Sequence, residues 1–250
     1  MLTRRVIPCL DTRDGRVVKG VRFQALRDSG SPVELAVAYE AQGADEIVLL
    51  DVSATIEGRS NALDTVRTIR DAVSIPLTVG GGVRNSSDAR ALLEAGADKV
   101  SVNTAAVRDP GIIDELAARF GSQCVTLAID AKRLGEGWRA SVRSGAELTD
   151  LDAIEWAAEG AARGAGEILL TSMDRDGTQS GYDLELLAGV SSRLTVPVVA
   201  SGGARTGGDM IAALRAGADA VLAASIFHDG LTTVREVKTA LLGVGLEVRP

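Results

Sequence analysis

Two aspartates close matching runs of β-forming residues. Asp11 ends RVIPCLD, and Asp130 ends QCVTLAID 119 residues later. Alternate residues of a strand share a face, which groups Arg5, Ile7 and Cys9 with Asp11, and Cys124, Thr126 and Ala128 with Asp130. Each carboxylate then stands at the rim of a mostly apolar face. Carboxylates in such settings take shifted pKa values and move protons near neutral pH. The competing reading for each Asp is a helix N-cap. The single histidine, His228, leaves no multi-histidine metal site or His-based triad and reads as structural. Lysine offers Schiff-base chemistry through Lys19, Lys99 or Lys132. Lys99 opens its β-run, whereas Lys19 and Lys132 lie in long segments after theirs and suit an anionic substrate better.

The second chemical signal is written twice. Residues 79–100 read VGGGVRNSSDARALLEAGADKV and residues 200–221 read ASGGARTGGDMIAALRAGADAV, with 11 of 22 positions identical. Gly81-Gly82 and Gly202-Gly203 follow β-runs, where bare backbone N–H groups can approach an oxyanion. Asn103-Thr104 and Ala224-Ser225 follow the next runs at the same offset of 121 residues. Backbone amides with a Thr or Ser hydroxyl at a helix start make a phosphate cradle. Two cradles imply a ligand with a phosphate at each end, spanning the two aspartates. If the glycines serve only tight turns, that inference lapses.

These residues need elements to hold them. The phrase Gly-Ala-Asp or Gly-Ala-Gly recurs at 43–45, 96–98, 164–166 and 217–219, each time before a β-rich run. Glycine there suits a left-handed helix C-terminus. With RVIPCLD, IPLTVGG, QCVTLAID and VPVVASGG the count is eight strands alternating with helices, which predicts an α/β (β/α)8 TIM barrel. An open doubly wound sheet gives no reason for a repeat at half length. The chain is expected to be one domain, residues 1–250, of two half-barrels, approximately 1–122 and 123–250. Strands 1 and 5 of such a barrel face each other, and so do the aspartates. The long segments 12–31 and 131–150 are expected as functional loops.

Composition bounds the partners. Hydrophobic residues make up 46% and aromatic residues 3% of the 250, an aliphatic core suited to buried parallel strands. A net charge of -7 argues against nucleic acid, and no apolar run approaches a membrane span. No signal peptide is read in MLTRRVIPCLD. Cys9 and Cys124 are expected as reduced core cysteines of a cytoplasmic protein, and no metal or cofactor is expected.

The runs IPCLDTRDGRVVKGVRF, TVGGGVR, GADKVSVNTAA, AIDAKR, GAGEILLTSMDRDGTQSGYD and AASIFH resemble, in this order, the cyclase subunit of imidazole glycerol phosphate synthase, from histidine biosynthesis. The resemblance implies a barrel that adds ammonia to a bis-phosphorylated ribulosyl formimino aminoimidazole carboxamide nucleotide. The products are imidazole glycerol phosphate and aminoimidazole carboxamide ribotide. It implies Asp11 and Asp130 as the catalytic acid and base and Lys19 as a substrate contact. Phosphate positions match Gly82, Asn103 and Thr104 at one end, and Asp176, Gly177, Gly203, Ala224 and Ser225 at the other. Arg5, Glu46, Lys99 and Glu167, at the starts of strands, match an ammonia gate facing a glutaminase partner at the N-terminal face. From the residues alone, the four read equally as structural salt bridges. Arg22, where relatives often carry Asn, and LGEGWRASVR (134–143) depart from the pattern. The rivals are the sister isomerase of the same pathway, a non-catalytic glutaminase-activating barrel, and a generic one-phosphate aldolase or epimerase.

Overall fold

A computed structural model describes residues 3–21, 24–52 and 63–249. In chain order the strands are β1 (Arg5–Arg13), β2 (Arg16–Val21), β3 (Gln24–Gly30), β4 (Ile47–Asp51), β5 (Leu77–Gly80), β6 (Lys99–Val102), β7 (Val125–Leu134), β8 (Gly137–Val142), β9 (Glu147–Asp152), β10 (Glu167–Ser172), β11 (Val198–Ser201) and β12 (Ala220–Ala223). Parallel pairing runs β1–β4–β5–β6–β7–β10–β11–β12 and returns to β1. The ring is a closed (β/α)8 barrel, with helices packed outside.

Strand alternation sorts the core into two layers. Val6, Leu10, Ile47, Leu49, Leu77 and Val79 point outward and bury against helix residues such as Ile69, Leu92 and Ile113. Ile7, Cys9, Val48, Leu169, Val199 and Leu222 fill the barrel interior. The repeat is visible in the helix starts. Asn85 caps the helix Ser86–Glu94, and Thr206 closes a capping box on Gly207–Arg215. Either cap satisfies amides that the first helical turn leaves without partners.

The recurring glycines all adopt positive φ: Gly43 (91°), Gly96 (111°), Gly164 (107°) and Gly217 (113°). The residue two places on stitches the base of the barrel. The backbone N–H groups of Asp45, Asp98, Gly166 and Asp219 donate to the carbonyls of Val6, Leu77, Val125 and Val198. Three of the four add a side-chain bond, with Asp45, Asp98 and Asp219 accepting from the N–H groups of Val6, Leu77 and Val198. Gly166 cannot, because a Cβ there would stand 2.2 Å from the carbonyl oxygen of Ser122. The variation in the phrase thus has a steric cause.

Three expectations change. The segments 12–31 and 131–150 are not irregular loops: β1 and β7 continue past the barrel into antiparallel ribbons with β2–β3 and β8–β9. Asp11 and Asp130 therefore lie within strands rather than at their ends. Cys124 belongs to a single 3-10 turn, Ser122–Cys124, and is half-buried, so it does not share the inward face of β7; Cys9 is buried. Arg22 lies outside the described residues.

Candidate active site

The C-terminal ends of the barrel strands surround two cavities that meet at Asp130. One, of about 450 Å³, is lined by Gly81, Gly82, Asn103, Thr104, Asp130 and Ser144 among others. The other, of about 70 Å³, is lined by Asp11, Asp130, Asp176, Gly177, Gly203, Ala224 and Ser225 among others. Asp11, Gly82, Asn103, Thr104, Asp130, Asp176, Gly177, Gly203, Ala224 and Ser225, the rim residues expected from the sequence, each border one of them; the Lys19 side chain lies outside the described residues. Lys19 lies on β2 in register with Arg27. Lys132 is exposed on the β7 extension and lines neither cavity.

Backbone geometry repeats across the halves. Asn103 (φ -132°, ψ -85°) and Ala224 (φ -123°, ψ -73°) adopt nearly the same unusual conformation before the short helices Thr104–Arg108 and Ser225–His228. Gly81 has φ 88°, and a Cβ on it would sit 2.2 Å from the Asp51 carbonyl oxygen. Its counterpart Gly202 has φ 90°, and a Cβ on it would sit 2.8 Å from the Ser172 carbonyl oxygen, Ser172 standing where Asp51 stands in the first half. Glycine at these places lets the backbone after β5 and β11 pass close against the ends of β4 and β10.

Neither aspartate caps a helix. Both are at least nine-tenths buried. Asp11 Oδ1 accepts from Cys9 Sγ at 3.3 Å, and Asp130 Oδ2 accepts from Asn103 Nδ2 at 3.0 Å. Burial, with the negative charges of Asp176 and Asp11, pushes the Asp130 carboxyl up to about 7, against the opposing hydrogen bond from Asn103. Such a group exchanges its proton at neutral pH.

At the opposite end, Arg5, Glu46, Lys99 and Glu167 close a ring of alternating charge. Arg5 pairs with Glu46 at 2.8 Å and with Glu167; Lys99 pairs with both glutamates at 2.9 Å. Burial alone would push Glu167 up, but Lys99 and Arg5 outweigh it and hold its carboxyl below the usual range. Thr78 also donates to Glu46. The salt-bridge reading of these four residues is thus the geometry observed.

Some site residues escaped the sequence. Thr171 and Ser201 line the smaller cavity, and strand alternation was the signal that could have found them. Arg84 and Arg108 line the larger one. Its edge is met by the β8–β9 turn, where the Arg143 N–H donates to Thr104 Oγ1 at 3.0 Å and Ser144 Oγ to the Val52 carbonyl at 3.1 Å. No local pattern marks a turn that docks on the other half. His228 lines neither cavity; its Nδ1 lies 2.6 Å from Tyr39 Oη.

A (β/α)8 barrel with two buried carboxylates and two glycine-lined cavities at its C-terminal rim has the layout of a barrel enzyme. Residues 5–233 match the family described as histidine biosynthesis protein. A relative from Metallosphaera sedula, imidazole glycerol phosphate synthase subunit HisF, is 56% identical over 250 residues, covering all of both chains. Relatives of the same name from Mycobacteroides abscessus and Corynebacterium diphtheriae are each 54% identical, covering 98% of both chains. The chain belongs to the HisF family, the cyclase subunit of imidazole glycerol phosphate synthase.

Proposed function

We propose that the chain binds the bis-phosphorylated ribulosyl formimino aminoimidazole carboxamide nucleotide across its rim, one phosphate in each cavity, and cyclises it with ammonia. The observation that carries this is the meeting of two repeat-related cavities at a buried carboxyl whose pKa lies near 7. Gly82, Asn103 and Thr104 hold one phosphate. Gly177, Gly203, Ala224 and Ser225 hold the other, with Asp176 beside them. Lys19 on the first ribbon contacts substrate.

Ammonia adds to the ribulosyl carbonyl carbon while protonated Asp130 gives its proton to the carbonyl oxygen. Asp11 takes a proton from the attacking nitrogen. Water then leaves, the nitrogen closes on the formimino carbon, and cleavage of the old C–N bond releases the ribotide. The same two carboxyl groups return the protons that these steps require. Arg5, Glu46, Lys99 and Glu167 gate ammonia delivered by a glutaminase subunit docked at the N-terminal face, in the cytoplasm. No helix among the described residues is long and apolar enough to cross a membrane.

The test is cyclisation by the isolated chain, given the bis-phosphate nucleotide and ammonium salt at pH about 8.5, where free ammonia is present. Turnover is expected. Tight binding without turnover would leave a scaffold that activates a glutaminase, and no binding would overturn the two-cavity reading.

A further inference from the structure

One hydroxyl inside the barrel makes no hydrogen bond to the described residues. Thr126 is 1% exposed, and its Oγ1 is buried without a hydrogen-bond partner. On β7 it alternates with Val125 and Leu127, which pack outward, so its side chain faces the interior. It stands in register with Glu167 of the charged ring on one side and Ser101 on the other. The two carboxylate oxygens of Glu167 are engaged by Arg5 and Lys99. Thr78, by contrast, donates its hydroxyl to Glu46. A buried hydroxyl without a partner is costly, and valine would fill the same volume without that cost.

The next inward residues along β7 are Ala128, a small side chain, and Asp130. Four residues of strand cover about 13 Å. The rest of the interior layer is largely aliphatic, with Ile7, Val48, Leu169, Val199 and Leu222. Such a lining resists a charged molecule and tolerates a neutral one. A threonine hydroxyl can donate to a nitrogen lone pair and accept an N–H.

We propose that Thr126 Oγ1 is a binding point for neutral ammonia inside the barrel, between the charged ring and Asp130. This rests on the reading of the chain as an ammonia-using cyclase. Thr126 sets how effectively low ammonia is captured and leaves the chemistry at Asp130 untouched.

The experiment compares wild type, Thr126→Val and Thr126→Ser, with ammonium salt and then with glutamine plus the glutaminase subunit. In Thr126→Val the half-saturating ammonia concentration should rise at least threefold, or product formed per glutamine should fall by a similar factor. The saturated rate should change less than twofold, and Thr126→Ser should behave as wild type. Thermal unfolding should show Thr126→Val no less stable than wild type; if it is unfolded, Thr126→Ala carries the same comparison. Unchanged half-saturation and unchanged coupling in the folded, hydroxyl-free variant would overturn the site. Wild type that turns over with neither ammonia source would instead remove the cyclase reading, and this site with it.

Discussion

Asp130 is where burial and function meet. Its carboxyl is held near 7, far above the ordinary aspartate value of about 3.9, so the folded state binds its proton more tightly than the unfolded chain does. The sign follows from linkage. The resulting stabilisation is complete below about pH 4 and is lost as pH rises through about 7. Asp130→Asn removes that penalty. It should raise Tm relative to wild type by several degrees at pH 8 and by little at pH 4, a difference on the order of a few kcal/mol. The same variant should lower kcat by about 10²-fold or more. A variant that keeps near-normal turnover would dismiss Asp130 as the acid. Asn103 donates to the ionised carboxylate, so Asn103→Ala should move the inflection of the kcat/KM profile upward from about 7. An unmoved inflection would show that this hydrogen bond does not tune the group.

The repeated phrase shows what an element states in sequence and what it hides. The glycine C-terminus, the alternation of helix with strand and the doubled Gly-Gly were legible because each is a local demand on backbone conformation. The ribbons were not. Their strand residues run on from barrel strands, and Thr12–Val17 pairing depends on a tight turn at Asp14-Gly15, both at positive φ. The third residue of the phrase was also opaque, since its job is set by a neighbouring strand. Asp98 joins β5 through both backbone and side chain, whereas Gly166 is forced by the Ser122 carbonyl. Two outcomes follow, both measured by denaturant unfolding. Asp98→Ala loses a hydrogen bond to a charged acceptor and should cost about 1.5–3 kcal/mol. Gly166→Ala drives a Cβ into backbone and should cost at least as much, although alanine is the better β-neighbour of the two residues on propensity alone. Equal stability of Gly166→Ala and wild type would mean the turn at 122 yields easily.

At the scale of the whole chain, closure is the step that sequence patterning leaves unspecified: the first barrel strand must find the last. The structure fixes that seam at its base. β1 pairs with β12, Arg4 pairs with Asp219 at 2.5 Å, and Arg4 bridges to Val248. The anchor is Asp45, 1% exposed in its side chain, which accepts from Lys238 at 2.8 Å, Arg249 at 3.1 Å and the Val6 N–H at 2.8 Å. Residues about 200 positions apart thus converge on one carboxylate. The Lys238 side chain is only 7% exposed, and its ammonium lies 2.8 Å from the Asp45 carboxylate. Breaking a buried pair by removing one partner costs about 3–5 kcal/mol, because the other charge is stranded. Asp45→Asn should therefore lower Tm by on the order of 10 °C at neutral pH, using about 2–4 °C per kcal/mol for a chain of this size. Adding Lys238→Met should recover part of that loss, since the stranded cation goes and an apolar stem remains. Cyclase turnover at low temperature should survive in both variants, because the anchor lies at the end of the barrel away from Asp130. If the double variant is less stable than Asp45→Asn alone, the lysine contributes through its contact with the Arg249 carbonyl as much as through Asp45.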